Sequence, residues 1–388
     1  MVAETRTLQI EKLVYGGDGL ARADGRVVLT PFVLPGETVR VSVDPQKRDL
    51  LRGRVVEMLT PASQRVVPQC EYFGRCGGCQ YQHAAYDFQL SQKGEILREV
   101  LRRTGKIEYA GTIETISGEP WGYRNRAQLH IADGKIGYFE HGSHRLCAID
   151  ACPVASPKIN ETITRINAEL PRLGRFKATV ELFTNETEVC VNVLDRVPAR
   201  ARTFFDGLGA NGAILYEGLR VGKGSFFQVN RFLVQALVDA VTADVSGECA
   251  FDLYAGGGLF SVALARRFGH VTAVESNRSA FRDLESSAAK FAAVQAVQQS
   301  AEEFLAAVVT APDLIVADPP RAGLGKAVVA ELLRLRPAQM RIVSCDPATL
   351  ARDLAPLTAS VYRIAKVTLV DLFPQTYHLE TVVQLEAD

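Results

Sequence analysis

The sequence predicts an α/β protein in three parts: a small β-barrel over 1–62, a mixed α+β segment over 63–217, and a doubly wound α/β domain over 218–388. Two rhythms and one turn carry that prediction. From about position 218, apolar strand-like runs alternate with helical stretches, the pattern of a parallel sheet covered by helices on both faces. Over the first sixty residues, short alternating runs are broken by frequent turn residues, the pattern of a small barrel. The run Phe251-Asp252-Leu253-Tyr254-Ala255-Gly256-Gly257-Gly258 is a glycine-rich crossing from strand to helix.

In the first part, Gly16-Gly17-Asp18-Gly19, Asp24-Gly25, Pro35-Gly36 and Asp44-Pro45 are the expected turns. Between them, Thr38-Val39-Arg40-Val41-Ser42-Val43 has the two-residue period of a half-buried strand. The middle part holds a helix expected over 87–103 and β-type runs at 126–131 and 188–193. Gly222-Lys223-Gly224-Ser225 is the expected boundary of the last part. There, strands are expected at 250–253, 271–274, 314–317 and 341–343.

At 388 residues and 47% hydrophobic content, the chain can bury two or three cores. No apolar stretch reaches the ~18 residues of a membrane span, and the polar opening is unlike a signal peptide. A cytoplasmic monomer with no membrane association is therefore expected. Basic and acidic residues balance at 44 each, which argues against a protein held on nucleic acid by bulk charge. Local basic stretches remain: Arg48, Arg52 and Arg54, then Arg98, Arg102, Arg103 and Lys106. Solvated faces explain these equally well. Eight cysteines in such a chain favour metal binding or catalysis over disulfides.

Cys345 is the most informative of them. It follows the apolar run Met340-Arg341-Ile342-Val343 and opens the turn Ser344-Cys345-Asp346-Pro347. In an open α/β sheet, ligands bind outside the carboxyl ends of the strands. Asp318 reaches the same edge in a D-P-P-R turn, and Glu380 lies in His378-Leu379-Glu380-Thr381 near the last strand. A lone cysteine at a strand end is usually a small buried hydrophobe. A thiol converging with two carboxylates instead points to a covalent active site.

The crossing at 251–258 and the acidic Glu275, which ends the next strand, form the expected cofactor site. Glycine lets backbone approach a ligand without a β-carbon in the way, and an acidic residue about 20 positions on can bind ribose hydroxyls. The G-x-G-x-x-G phosphate fingerprint is missing, which favours S-adenosylmethionine over a dinucleotide.

Cys70, Cys76 and Cys79 crowd into one loop around Gly77-Gly78. Three thiolates need a fourth ligand, for which Cys147 and Cys152 are candidates. The spacing leaves zinc and an iron–sulfur cluster both open. It is not the C-x3-C-x2-C of radical adenosylmethionine enzymes. Cys190 and Cys249 sit in apolar strands and read as core.

Taken together, S-C-D-P-A-T-L-A-R-D, D-P-P-R and H-L-E-T resemble the RNA uracil-5-methyltransferase family, which forms 5-methyluridine in 23S rRNA and tRNA. The likeness covers essentially the whole chain. It implies that the last part is a Rossmann-like, S-adenosylmethionine-dependent methyltransferase domain, and that 1–62 is an OB-like, RNA-binding TRAM domain. Cys345 then matches the nucleophile, which adds to carbon 6 of uracil, and Glu380 the general base. Gln228, Tyr254, Glu275 and Asp318 match adenosylmethionine contacts. Ala255 and Leu259 depart from the family pattern, and Leu259 removes a polar contact. C-x5-C-G-G-C followed by Cys152-Pro153-Val154 resembles the iron–sulfur members. The resemblance thus implies a [4Fe–4S] cluster on Cys70, Cys76, Cys79 and Cys152, with Cys147 left out. Ribosomal RNA is the first expectation for the partner. The alternatives are tRNA, or a catalytically weak RNA-binding protein on the same scaffold. Cytosine-5 DNA enzymes use a Pro-Cys context, which Ser344-Cys345 lacks, and electron transfer lacks a second redox centre.

Overall fold

A computed structural model describes residues 4–43, 50–210 and 212–388. The expected Asp44-Pro45 turn and Arg48 lie outside the described residues.

The chain opens with β1 (Glu4–Gln9), β2 (Lys12–Leu13), β3 (Asp18–Ala23), β4 (Arg26–Pro31), β5 (Thr38–Val43) and β6 (Leu50–Thr60). They form one sheet in the order β1-β5-β6-β4-β3-β2. The expected alternation is β5 itself. Val39, Val41 and Val43 enter a core with Leu8, Ile10, Val28, Val33 and Leu51. Asp24 and Gly25, both at positive φ (49° and 73°), close the β3–β4 hairpin. A two-residue hairpin turn needs both residues in that region to follow the strand twist. Gly19 is required for space, since a β-carbon there would fall 2.4 Å from a Val33 methyl. The basic stretches are partly consumed within the fold. Arg52 pairs with Asp18, Arg98 donates to the carbonyls of Tyr109 and Gly111, and Arg103 pairs with Glu99.

The middle of the chain runs through α1 (Tyr86–Gly105), β7 (Ile113–Ile116), β8 (Arg126–Ala132), β9 (Lys135–Phe139) and β10 (Leu146–Ala148). It continues with α2 (Pro157–Leu173), β11 (Ala178–Thr184), β12 (Val189–Val193), α3 (Ala199–Asp206), β13 (Ala213–Tyr216) and β14 (Leu219–Gly222). The helix expected over 87–103 is α1, with Asp87 in its first turn and Arg102 and Arg103 in its last, each favoured by the helix dipole. β11 pairs antiparallel with both β8 and β12.

The last part contains α4 (Val234–Thr242), β15 (Gly247–Leu253), α5 (Leu259–Leu264), β16 (Phe268–Val274), α6 (Arg278–Ala288) and β17 (Val294–Val297). It ends with α7 (Ala301–Ala307), β18 (Leu314–Ala317), α8 (Gly325–Leu335), β19 (Gln339–Ser344), α9 (Pro347–Thr358), β20 (Tyr362–Val370) and β21 (Glu380–Ala387). The eight-stranded sheet has the order β17-β16-β15-β18-β19-β21-β20-β7. β16, β15, β18 and β19 pair in parallel, as alternation predicts. All four residues of β18 are buried, as expected for a strand covered on both faces. The sheet is not wholly parallel, however. β21 inserts antiparallel between β19 and β20, and β7 from upstream adds a parallel edge strand.

By contacts the chain divides into two compact bodies. One comprises residues 1–96, 138–149 and 373–378, and the other 97–137, 150–372 and 379–388. Among the described residues no helix is long and apolar enough to cross a membrane.

Candidate active site

Strand register builds the site. Leu253 of β15 pairs with Val274 of β16 and with Ala317 of β18. The next residues, Tyr254, Glu275 and Asp318, therefore stand side by side at the carboxyl ends of three adjacent strands. Ser344 of β19 pairs with Thr381 of β21, and Glu380 pairs with Val370 of β20. Continuing the β19–β21 register by one residue sets Cys345 opposite Glu380. The antiparallel insertion of β21 is what delivers Glu380 to this edge.

Cys345 occupies the step between β19 and α9. Asp346 caps that helix, its Oδ1 accepting the N–H groups of Ala348 and Thr349 at 2.9 Å each, with Pro347 in the first turn. An N-cap before a proline fixes where the strand ends and the helix starts. The thiol is half-buried, and burial pushes it up to about 11. The Glu380 carboxylate adds to the rise, as does Asp318. The Arg321 guanidinium, which hydrogen-bonds the thiol, opposes both. Glu380 is 5% exposed, and burial, then the Asp318 charge, lifts its carboxyl well above the usual range. Burial raises Asp318 as well. Two adjacent carboxylates resist double ionisation.

The cofactor crossing is strained and specifically braced. Tyr254 sits at φ 60°, followed by Gly256 and Gly258 at 56° and 91°. The Glu275 carboxylate accepts the Gly256 N–H at 2.9 Å and the Asn277 N–H at 2.6 Å, tying the turn to the end of β16. Asp252 is fully buried and accepts the Ser261 hydroxyl at 2.5 Å. Its other oxygen, Oδ1, is buried without a hydrogen-bond partner. Burial pushes this carboxyl up to about 7. An open glycine backbone, an acidic residue beside it and an orphaned carboxylate oxygen below suit a polar, cationic ligand.

The departures at Ala255 and Leu259 have packing reasons. Ala255 packs with Ala273 and Leu284, and Leu259 packs against the cluster of Phe183, Tyr216, Phe227 and Val234. Gln228 is buried, in an extended stretch where Val229 accepts the Asn125 N–H and Tyr123 accepts the Arg231 N–H. The sheet register thus gathers Tyr254, Glu275, Asp318, Cys345 and Glu380, but not Gln228.

Cys70, Cys76 and Cys79 lie half-exposed in a chain of turns, and the Gly78 N–H donates to Cys76 Sγ at 3.4 Å. Cys152 is half-exposed before α2, its N–H held by Asn160 Oδ1 at 2.8 Å. Cys147 is fully buried and accepts the Arg75 Nε–H at 3.3 Å. Among the described residues no three His, Cys, Asp or Glu side chains are arranged to hold a metal ion. Cys190 is core as expected, whereas Cys249 is half-exposed at the start of β15, where its N–H bonds Asp313. The buried apolar run of β15 begins only at Ala250, and the Gly247 and Glu248 that precede Cys249 are exposed.

Reading the residues missed two groups. Arg321 was visible as the last letter of D-P-P-R, and a cation three residues after a site carboxylate was the available signal. Asp252 sat inside the glycine-rich motif, where an acidic residue in an otherwise apolar strand was the clue.

Comparison with known proteins agrees with this architecture. The sequence model of the tRNA (uracil-5-)-methyltransferase family matches residues 310–388, and that of the TRAM domain matches residues 1–56. An RNA methyltransferase of Aquifex aeolicus, described as uncharacterized, is 31% identical over 98% of each chain. The 23S rRNA (uracil(1939)-C(5))-methyltransferase RlmD of Chromohalobacter salexigens is 33% identical, covering 98% of this chain and 89% of its own. The crystal structure of the Pyrococcus abyssi tRNA (uracil-54, C5)-methyltransferase, in complex with S-adenosyl-L-homocysteine, superposes with a TM-score of 0.75. It shares 27% identity and covers 98% of this chain and 100% of that one. The chain belongs to the RNA uracil-5-methyltransferase family.

Proposed function

We propose that this enzyme methylates carbon 5 of a uridine in RNA, using S-adenosylmethionine and a covalent adduct through Cys345. The observation that carries the reading is the register that sets Cys345 opposite Glu380, one strand from Asp318. Tyr254, Glu275, Asp318 and Gln228 would hold the cofactor, with Glu275 already braced by the glycine turn. When bound there, adenosylmethionine supplies an electrophilic methyl group.

Carbon 5 of uracil is a weak nucleophile. Addition of the Cys345 thiolate to carbon 6 breaks the ring's conjugation and loads electron density onto carbon 5, which then takes the methyl group. Glu380 removes the carbon-5 proton, the ring double bond re-forms, and the carbon–sulfur bond breaks to return the thiolate. This divides one hard step into easier ones. A raised carboxyl suits a base working near neutral pH. Arg321 stabilises the thiolate, and Asp318 orients cofactor and base. The target uridine must leave its stack, which is cheapest in a single-stranded loop.

Ribosomal RNA is the proposed partner, on the strength of the RlmD relatives, with tRNA the second candidate. The proposed layout is an RNA-binding TRAM domain over 1–62, a central domain over 63–217 and a catalytic domain over 218–388, in a cytoplasmic monomer. The test is RNA carrying 5-fluorouridine, which cannot lose a proton from carbon 5. A denaturation-resistant adduct is expected with the wild type and none with Cys345→Ala. Equal adduct from both would remove Cys345 from the mechanism. Mapping 5-methyluridine in rRNA and tRNA from cells with and without the protein identifies the target.

A second proposal concerns the cysteine loop. Cys70, Cys76, Cys79 and Cys152 would hold a [4Fe–4S] cluster. Their half-exposure and the Gly78 N–H aimed at Cys76 Sγ favour them over Cys147, which is buried and engaged by Arg75. Anaerobically purified protein should then be brown, with absorbance near ~400 nm. Cys152→Ser should lose the metal and Cys147→Ser should keep it. Zinc without iron, or the reverse dependence on the two cysteines, would overturn the assignment.

A further inference from the structure

The turn that carries Arg321 is clamped by the helix that follows Cys345, through contacts the proposed reaction does not use. The Gly323 N–H donates to the Pro320 carbonyl at 2.8 Å, closing a four-residue turn with Arg321 and Ala322 at its centre. Asp353 of α9 is 4% exposed, and its Oδ2 accepts the Leu324 N–H at 2.7 Å. Arg352 Nη2 donates to the Ala322 carbonyl at 2.7 Å. The two α9 side chains are also joined to each other. Arg352 Nε donates to Asp353 Oδ1 at 2.9 Å, and Nη2 to Oδ2 at 3.0 Å. Side chains at adjacent helix positions do not ordinarily face one another. Here both converge on one loop and grip the peptides on either side of Gly323.

Gly323 makes that fit possible. Its φ is 78°, in the region glycine adopts freely. A β-carbon there would lie 2.3 Å from Asp353 Oδ2, 2.6 Å from Arg352 Nη2 and 3.2 Å from the Thr349 β-carbon. The loop backbone is thus pressed against α9 with no room for a side chain. Every residue of this arrangement, together with Asp318, Cys345 and Glu380, belongs to the same compact body. Arg321 itself is exposed, and an arginine held in one geometry gives up side-chain freedom. A backbone already fixed leaves only the side chain to be ordered.

We propose that Asp353 is a positioning residue for Arg321. Its carboxylate holds the 320–324 turn on α9, and the turn directs the guanidinium toward the sulfur of Cys345. The inference rests on the proposed role of Arg321 in stabilising the thiolate. Pro347, two residues after Cys345, begins α9, so one rigid element fixes both the nucleophile and the turn that bears its cation. Three charged groups face the thiol: Glu380 from β21, and Asp318 and Arg321 from the end of β18. Of these, Arg321 is the cation, and its placement decides how far the repulsion from the two carboxylates is offset.

The direction of the effect gives the test. Cys345 of the full chain, without RNA, is alkylated by iodoacetamide at about pH 8, where thiolate is the reactive form, and its peptide is followed by mass analysis. Removing a negative charge near a thiol, or loosening the packing around it, would speed alkylation. Losing the Arg321 contact slows it. Asp353→Ala is therefore expected to alkylate about three- to tenfold more slowly than wild type. Asp353→Asn keeps an acceptor for the Leu324 N–H, guards against a variant that fails to fold, and should recover part of the loss. Gly323→Ala forces the turn off α9 from the other side and should slow alkylation to a similar degree. In an Arg321→Gln background, adding Asp353→Ala should change the rate by less than about twofold, because the group it positions is already gone. Wild-type or faster alkylation by Asp353→Ala, or a loss that adds in full to that of Arg321→Gln, overturns the inference. Arg321→Gln alone separates the two ideas. If it alkylates as fast as wild type, the thiolate role of Arg321 fails and this inference falls with it. If it slows while Asp353→Ala and Gly323→Ala do not, the positioning inference fails alone.

Discussion

Replacing Arg321 with glutamine tests the electrostatics of the site without RNA or cofactor. The Cys345 thiol is lifted from 9.0 to about 11, first by burial and then by Glu380, with Arg321 as the cation opposing the rise. That rise corresponds to about a hundredfold less thiolate at a pH below both values. Thiolate is the nucleophile, so alkylation of Cys345 by iodoacetamide should climb about tenfold per pH unit from 7 to 10 without levelling off. Arg321→Gln removes a charge-assisted hydrogen bond, worth ~1.5 kcal/mol at the lower end because the guanidinium is exposed and partly screened. The pKa moves further up, and alkylation at pH 8 should fall about tenfold. Mass analysis of the Cys345 peptide reads the rate separately from the other cysteines. A wild-type curve that levels off near pH 8.5, or an Arg321→Gln curve that overlays it, would refute the reasoning.

Two further outcomes are expected. Glu380→Gln keeps the shape of the carboxylate but cannot take the carbon-5 proton, so turnover should fall ~10²–10⁴-fold with methylated RNA left on the enzyme; free product at the normal rate assigns the base elsewhere. Asp252 has a folded-state value near 7 against 3.8 when unperturbed, so the native state holds its proton more tightly and stability falls as pH rises from about 4 to about 7. Asp252→Asn, which can still accept from Ser261, should escape that loss and melt higher than wild type at pH 8 but not at pH 4; equal differences at both pH values would rule out the buried carboxyl as the cause.

Local pattern revealed what local physics decides. The alternation over Thr38–Val43 is legible because burial in a sheet has a period of two, and β5 buries its three valines. The positions of Asp318 and Cys345 are legible because a turn motif after an apolar run marks a strand's carboxyl end. Strand order is not local, so the insertion of β21 between β19 and β20 could not be read off, although it is what brings Glu380 to Cys345. β7 (Ile113–Ile116) was invisible for a related reason. Only four residues long, with Glu114 and Thr115 exposed and its isoleucines half-buried, it has no hydrophobic period to detect. Arg321 and Asp252 show a third limit. Their roles depend on which way a side chain points and how deeply it is buried, and residue type alone carries neither.

The mutual influence of Cys345, Asp318 and Glu380 also orders the proposed steps. Each negative charge in this edge raises the cost of the next, since the Glu380 carboxylate pushes the Cys345 thiol up and Asp318 pushes Glu380 up. When the sulfur bonds carbon 6, the thiolate charge passes to the ring, and transfer of the sulfonium methyl to carbon 5 cancels it, so that Glu380 loses a like-charged neighbour. Its ionised form is then favoured at the stage when it must accept a proton. Once Glu380 carries that proton, its own charge is gone, and the penalty on a departing thiolate falls in turn. Adduct formation and methyl transfer together thus prepare the base, and protonation of the base prepares the leaving group. With Glu380→Gln the second half of this exchange is lost but the first is eased, because a neutral amide no longer opposes the Cys345 thiolate. The variant should alkylate at Cys345 at least as fast as wild type while failing to release product, and slower alkylation would show that the two groups do not share this electrostatic coupling.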